Sequence, residues 1–163
     1  MTAAVCNLRP TSRGAVKIKS RDIRDPPEID SNYLSTPHDK DIARKGLRLT
    51  RRIMLESSAM RSYSPVELLP GPGATTDAAL DASALSIGTS IFHPVGTCRM
   101  GHSPVGPEQS VVDARLRVHG VRRLRVVDAS VMPAITSGNT NTPTLAIADR
   151  GADMIIEDHG GRT

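Results

Sequence analysis

The sequence of 163 residues is nearly free of aromatic side chains, with two Tyr, one Phe and no Trp. A core built from it rests on aliphatic residues and Met, which bury less area per side chain than aromatic rings do, so independent stability is not assured. At this length the chain is one domain or a large piece of a bigger protein, and a complete two-domain enzyme is excluded. The 38% hydrophobic and 23% charged residues exclude an acidic disordered tail and a membrane protein.

Long apolar runs and paired cysteines are absent as well. Residues 1–13 contain Arg9, Pro10 and Arg13 and lack the continuous apolar stretch of a secretory signal or a membrane span. Cys6 and Cys98 stand far apart, outside a CxxC or disulfide-framework spacing. We therefore expect a cytoplasmic protein with reduced thiols and no membrane span.

Basic residues are in modest excess, with 21 Lys and Arg against 17 Asp and Glu and a net charge of +4. A helix is predicted over residues 37–55, because Thr36 is a good N-cap, Pro37 suits the first turn and the apolar residues recur at helical spacing. Its other sides carry Arg44, Lys45, Arg48, Arg51 and Arg52. One alternative is therefore a small basic module that binds nucleic acid or protein. A solvated helix face is the more ordinary interpretation, since no aromatic residues interleave for base stacking, and we expect no nucleic-acid partner.

Two strands are predicted from local pattern. Residues 16–20 alternate apolar and polar after Gly14, as a strand with one wet face does. Leu124, Val126 and Val127 indicate a second strand, at 124–127, which ends at Asp128.

Two further helices are predicted. Residues 77–87 are rich in Ala and start with an acid. Residues 142–156 follow Asn139 and Asn141, either of which is a suitable N-cap. A strand end followed by a capped helix is typical of a ligand-binding site.

Three blocks of the second half stand out: HPVGTCRMG at 93–101, VVDASVMP at 126–133 and SGNTNTPT at 137–144. Upstream of these lie LRPTSRG at 8–14, PEID at 27–30, NYL at 32–34 and VDARLRVHG at 112–120. Together and in this order they resemble the C-terminal portion of the glucose-methanol-choline (GMC) family of flavin-dependent oxidoreductases. The resemblance covers nearly the whole chain.

The resemblance implies an α+β fold in two parts. Residues 1–90 would form a substrate-binding lobe, an antiparallel sheet with flanking helices. Residues 91–163 would form the active-site and flavin-contacting segment, with the last strand and helix of the FAD-binding fold. We expect the N-terminal Rossmann part to be absent, because no GxGxxG fingerprint occurs: Gly71 and Gly73 match its start, but Thr76 stands where the third glycine belongs.

The family oxidises an alcohol to a carbonyl with hydride transfer to N5 of FAD, and the resemblance implies that His93 is its catalytic histidine. The residue type agrees, because imidazole exchanges protons near neutral pH without strong tuning. The second active-site position falls on Asn139, whose amide can donate a hydrogen bond to the substrate oxygen. From the residues alone, capping of the last helix is the alternative role for Asn139.

The cofactor positions follow from the same resemblance. Asp128 and Ala129 fall where the family contacts the ribityl and pyrophosphate region of FAD, although an Asp at a strand end is also a common turn former. The peptides of Thr140 and Asn141 fall at the N1 and C2=O edge of the flavin, where the positive end of a helix stabilises the reduced anion.

No metal is expected, because His93, Cys98 and His102 offer too few ligands for a closed zinc site. The expected partners are a small-molecule alcohol and the missing N-terminal FAD-binding half, in cis or in trans. Without that half, we expect the chain to be an inactive fragment. The alcohol itself is open among choline, aliphatic alcohols, aryl alcohols and polyols.

Overall fold

The computed structural model describes residues 1–105 and 109–161, in two compact units that span Met1–Ser90 and Ile91–Thr163. The first unit contains a two-stranded sheet and two α-helices, and the second contains one α-helix among irregular segments. None of the described helices combines the length and the apolarity needed to cross a bilayer.

The sheet of the first unit pairs β1 (Ala15–Lys17) with β2 (Glu28–Asp30), antiparallel and with Val16 opposite Ile29. The predicted strand after Gly14 is thus confirmed, three residues long. The expectation of one covered face is wrong, because Val16 and Ile29 are 51% and 67% exposed. An isolated two-stranded ribbon is marginally stable in water, so this sheet is a candidate for contact with further chain.

Both predicted helices of this unit are confirmed, and each begins at a capping threonine. Helix α1 (Pro37–Arg51) has Thr36 as N-cap and continues as a π-helical turn, Arg52–Glu56. Helix α2 (Asp77–Ile87) has Thr76 as N-cap. The two Thr hydroxyls accept hydrogen bonds from the first-turn N–H groups of Asp39, at 3.3 Å, and of Ala79, at 3.2 Å. Local sequence therefore determines where these helices start.

The arginines of α1 are engaged within the unit. Arg44 lies 3.4 Å from the carboxylate of Asp81, and Arg48 lies 2.6 Å from that of Asp77. Arg51 binds the Glu67 carboxylate at 2.8 Å and donates to two backbone carbonyls of the following loop. Lys45 lies 2.6 Å from the carboxylate of Asp41. Four of the five cations of the predicted basic surface are thus paired with acids, which favours a packing role over a polyanion-binding role.

Asp39 anchors the N-terminal segment to α1. Its carboxylate is 2% exposed and accepts hydrogen bonds from the backbone N–H of Thr11 at 2.9 Å and of Ser12 at 2.8 Å, and from the Asn7 amide at 3.2 Å. Burial by itself would raise the pKa of Asp39, but the hydrogen bonds from Ser12 and Thr11 outweigh it and lower the pKa to about 2.

We expect the chain to lose stability in acid through Asp39. Because its pKa is depressed on folding, from 3.8 to about 2, its contribution is complete above about pH 5 and is lost as the pH falls through 2. Each unit of difference between the folded and unfolded pKa corresponds to about 1.36 kcal/mol. The free energy of unfolding therefore falls by about 2 kcal/mol, roughly half of it by pH 3. Urea unfolding at pH 7, 5, 4 and 3, followed by circular dichroism, measures it.

The matched variant for this prediction is Asp39→Asn, which has no carboxylate to titrate. It is less stable at pH 7, since it offers one oxygen acceptor in place of two, and its stability declines less between pH 5 and pH 3. Asp158 also has a pKa lowered to about 2, chiefly by the hydrogen bond from Arg117, so a residual acid loss is expected in the variant. Equal acid losses in the two proteins would contradict the role of Asp39.

The second unit is built around a small aliphatic core. Val112 and Val131 are fully buried and Leu116 is nearly so, with Met100, Val118, Val126, Val127 and Ile147 packed against them. Helix α3 (Asn141–Asp158) confirms the predicted last helix and extends two residues beyond its predicted end. At the C-terminal end of α3, Asp158 binds the guanidinium groups of Arg115, Arg117 and Arg125, which ties the helix to the segment before it.

The predicted strand at 124–127 is wrong. This segment makes a single antiparallel bridge, between Arg125 and Arg117. Its ladder is limited to two hydrogen bonds, from Val118 N–H to the Leu124 carbonyl and from Val126 N–H to the Leu116 carbonyl. A strand requires a hydrogen-bonded partner along its length. In the described part of this unit, the segment has such a partner at one bridge only.

Candidate active site

His93 begins a loop, residues 93–100, whose backbone is hydrogen-bonded to two neighbouring carbonyls. The N–H groups of Gly96 and Cys98 both donate to the Ser130 carbonyl, at 3.0 Å and 3.1 Å, and Met100 N–H donates to the Val131 carbonyl at 2.8 Å. We call residues 93–100 the His93 loop. Its position is therefore determined by the chain at 130–131, more than thirty residues downstream.

Gly96 is required by the conformation of this loop. Its φ is +90°, which side chains of L-residues rarely adopt. An added Cβ would also approach the Met132 carbonyl oxygen to 3.4 Å. A glycine here lets the loop turn close to the backbone that holds it.

Asp128 shapes the turn that carries the Ser130 carbonyl. It is the N-cap of a short 3₁₀ helix, Ala129–Val131, and its carboxylate accepts hydrogen bonds from the backbone N–H of Ser130, at 2.8 Å, and from the Ser130 hydroxyl. The Asp128 side chain is exposed, and Ala129 is half-buried. The turn-forming role considered for Asp128 is thus present, and it links this residue to the His93 loop.

Helix α3 brings a second element to His93. Thr140 is its N-cap, is 7% exposed, and lies with its hydroxyl oxygen 3.1 Å from Nδ1 of His93. The prediction that Asn139 or Asn141 caps this helix is wrong: Asn139 precedes the cap, and Asn141 is the first helical residue. The Thr140 backbone is in the αR region and its hydroxyl makes no capping hydrogen bond; the hydroxyl faces the histidine instead.

The two asparagines flank this contact along the chain. Asn139 and Asn141 both have exposed side chains, and neither is hydrogen-bonded to His93 within the described part of the unit. Of the residues singled out in the sequence, the structure joins His93 to Thr140 directly. Asp128 is joined to the His93 loop through Ser130.

Sequence reasoning missed the side chain of Thr140 and the carbonyl of Ser130. The sequence predicts a role for the Thr140 peptide alone. The contact joins residues 47 positions apart, and no periodicity or spacing reports which ring nitrogen a hydroxyl will face. A threonine directly after Asn139 was the only visible signal.

The chemistry available here is proton exchange. His93 is half-buried, with Nδ1 turned to the protein and, within the described part of the unit, no hydrogen bond at Nε2. The first turn of an 18-residue helix begins beside it, and such a helix end attracts negative charge. A base next to a site that stabilises anions is suited to deprotonating a weak acid.

The other histidines of this unit lie in different surroundings. His119 Nε2 is 3.0 Å from the hydroxyl of Ser110, which is 3% exposed, and His102 is exposed. Across residues 1–105 and 109–161, no three His, Cys, Asp or Glu side chains are grouped so as to hold a metal ion.

Comparison with known proteins places these features in a family. Residues 10–148 match the model of GMC oxidoreductases. The alcohol dehydrogenase (acceptor) of Pseudomonas putida is 44% identical over 155 residues, which cover 95% of this chain and 27% of that protein. The oxygen-dependent choline dehydrogenase of Citrobacter koseri is 46% identical over 151 residues, which cover 93% of this chain and 26% of that protein.

A solved structure that resembles this chain is also that of an oxidoreductase. An FAD-dependent oxidoreductase from Chaetomium thermophilum superposes with a TM-score of 0.84 and 33% identity, over 95% of this chain and 26% of that chain. The chain spans about a quarter of the length of the curated relatives that it matches.

Proposed function

Since this chain belongs to the GMC oxidoreductase family, we propose that it is the C-terminal catalytic portion of an FAD-dependent oxidoreductase that converts alcohols to carbonyl compounds. The observation that carries the proposal is the arrangement of His93, held at Nδ1 by Thr140 and at its loop by the Ser130 carbonyl, with Nε2 left to meet a substrate. The relatives named above act on alcohols and choline, and a small alcohol is therefore the proposed substrate class.

His93 is the proposed general base. Its Nε2 takes the proton of the substrate hydroxyl, and hydride leaves an alkoxide more readily than it leaves a neutral alcohol. Asn139, next to Thr140 at the start of α3, is proposed to donate its amide hydrogen to the same oxygen as negative charge develops there. An amide suits this role because it does not compete for the proton.

FAD is the proposed cofactor, and when bound it supplies the acceptor for the hydride of the alcohol carbon. Four positions are proposed to contact it: Asp128, Ala129 and the peptides of Thr140 and Asn141. Their surroundings fit an anionic flavin edge, because the first turn of α3 has no side-chain cap and its N–H groups carry partial positive charge. The exposed Asp128 carboxylate fits the hydroxyl groups of a ribityl chain.

We propose that an N-terminal FAD-binding half completes the enzyme, in cis or in trans, and that the isolated chain neither retains FAD nor turns over alcohols. The sequence contains no GxGxxG fingerprint, and the chain spans about a quarter of its relatives. The open sheet of the first unit, with Val16 and Ile29 exposed, supports a further partner for residues 1–90, the proposed substrate-binding lobe.

A chimera tests this proposal. In it, the whole chain replaces the matching C-terminal region of the Pseudomonas putida alcohol dehydrogenase; we call this protein the chimera. We expect the chimera to retain FAD and to reduce a dye with one or more alcohols from a panel of choline, aliphatic alcohols, aryl alcohols and polyols, while the chain alone does neither.

Two results would count against the proposal. A chimera that holds FAD but oxidises no alcohol in the panel contradicts the assigned chemistry. An isolated chain that keeps a yellow flavin spectrum and reduces the dye contradicts the need for an N-terminal half.

A further inference from the structure

The three α-helices of the chain offer an internal comparison. Each has a threonine at its N-cap: Thr36 for α1, Thr76 for α2 and Thr140 for α3. The first two accept a first-turn N–H, as N-cap threonines normally do. Thr140 makes no such bond: its backbone lies in the αR region, whereas those of Thr36 and Thr76 are extended, and its hydroxyl lies 3.1 Å from Nδ1 of His93.

From this contact we infer that Thr140 is a positioning residue, which holds His93 in the tautomer with hydrogen on Nδ1 and thereby leaves the lone pair of Nε2 to take the alcohol proton. The inference rests on the proposed function for the direction of the hydrogen bond and for its catalytic consequence. The tautomer itself is a property of the chain and can be measured without turnover.

The direction of the hydrogen bond follows from the proposed role of His93 as a base that acts through Nε2. A threonine hydroxyl either donates to Nδ1 or accepts from it. If it donated, the hydrogen of the neutral ring would sit on Nε2, and that nitrogen would have no lone pair for a substrate proton. If it accepts, Nε2 is free, and the same bond persists after proton transfer because both nitrogens of the imidazolium are donors.

The surroundings of Thr140 favour a rigid contact. The residue is 7% exposed, and its backbone carbonyl accepts hydrogen bonds from the N–H and the hydroxyl of Thr144, at 3.0 Å and 2.7 Å. The ring nitrogen is thus held by a buried group that is itself fixed to α3. In histidine chemistry, the partner of one ring nitrogen sets the protonation of the other.

The test compares Thr140→Val, which keeps the shape and removes the hydroxyl, with Thr140→Ser, which keeps the hydroxyl. In the chimera, we expect Thr140→Val to lower kcat by about 10- to 100-fold, the loss found when the hydrogen-bond partner of a metal-bound histidine is removed. KM and FAD content stay close to their original values. Thr140→Ser restores most of kcat. The matched control is Thr76→Val, which removes the capping hydroxyl of α2 and leaves kcat unchanged.

The second readout is the tautomer of His93, from the 15N chemical shifts of histidine-labelled chain, with the His93 signals assigned by their loss in His93→Gln. We expect hydrogen on Nδ1 in the original chain and a shift toward Nε2–H in Thr140→Val. This measurement stands even if the chimera oxidises no alcohol, so failure of the proposed function is distinguishable from failure of the Thr140 contact.

The inference is overturned by any of three results. One is a His93 tautomer that is the same in Thr140→Val as in the original chain, or that has the ratio of a free histidine in both. Another is full kcat in an active chimera that carries Thr140→Val. The third is loss of FAD from Thr140→Val and Thr140→Ser alike, which would show that Thr140 acts in folding or in FAD binding.

Discussion

His93→Ala lowers kcat/KM of the chimera for its alcohol by about 10²- to 10⁴-fold, the contribution of a positioned general base. The reason is that the hydroxyl proton then has no acceptor on the protein, and the hydride would have to leave a neutral alcohol. Initial rates of dye reduction over a range of alcohol concentrations measure the effect. Hydroxide can take the place of the missing base, so raising the pH recovers part of the rate of His93→Ala.

The matched control is His102→Ala. His102 lies in the same unit and is exposed, outside the contacts that hold the His93 loop. This variant keeps the original kcat/KM. FAD content, read from the flavin absorbance, is equal in both variants if His93 acts on the substrate and not in cofactor retention. Equal rates in His93→Ala and the unaltered chimera would remove His93 from the mechanism.

Gly151→Leu destabilises the chain by at least about 3 kcal/mol, at the upper end of the range for overpacking a core. Gly151 lies inside α3 and is buried. A Cβ added there would come within 2.7 Å of Cγ1 of Val127 and 3.2 Å of Cδ1 of Leu116. Val127 is branched at Cβ and stiff at χ1, so the core cannot yield without moving the backbone beside it.

The control places the same leucine one residue further on. Ala152 is exposed on the next position of α3, and Ala152→Leu changes stability by no more than about 0.5 kcal/mol, as surface substitutions usually do. Urea unfolding of the purified chain, followed by circular dichroism, gives both values. If the two leucine variants are equally stable, α3 does not pack on Val127 and Leu116 as described.

The starts of the helices show which features of this protein the local sequence determines. The Thr36-Pro37 pair predicted the start of α1 correctly, because a capping hydroxyl and its N–H partner lie three residues apart in the chain. Alanine content and an acid in the first turn predicted α2, and the structure adds Thr76 as its N-cap. For α3, the same reasoning predicted the helix but named the wrong N-cap. Its N-cap hydroxyl is taken by His93, a residue that no local rule connects with it.

The strand predicted at 124–127 failed for a related reason. Two of its three apolar residues do face a core, since Val126 and Val127 pack against Val112 and Leu116. Apolar residues indicate burial, whereas strand formation requires a neighbouring backbone to exchange hydrogen bonds with. The described chain supplies that neighbour at Arg117 alone.

By itself, the sequence determined the family, the two helices of the first unit and the identity of the residues proposed for the chemistry, His93 and Asn139, because ordered blocks and capping signals are written in short stretches. Only the tertiary structure decided which groups hold His93, through the Ser130 carbonyl and the Thr140 hydroxyl. It also decided that Gly151 is required for space rather than for conformation. These are contacts between distant stretches of chain, and a hydrogen bond or a packing clash depends on distances in the fold that residue order does not contain.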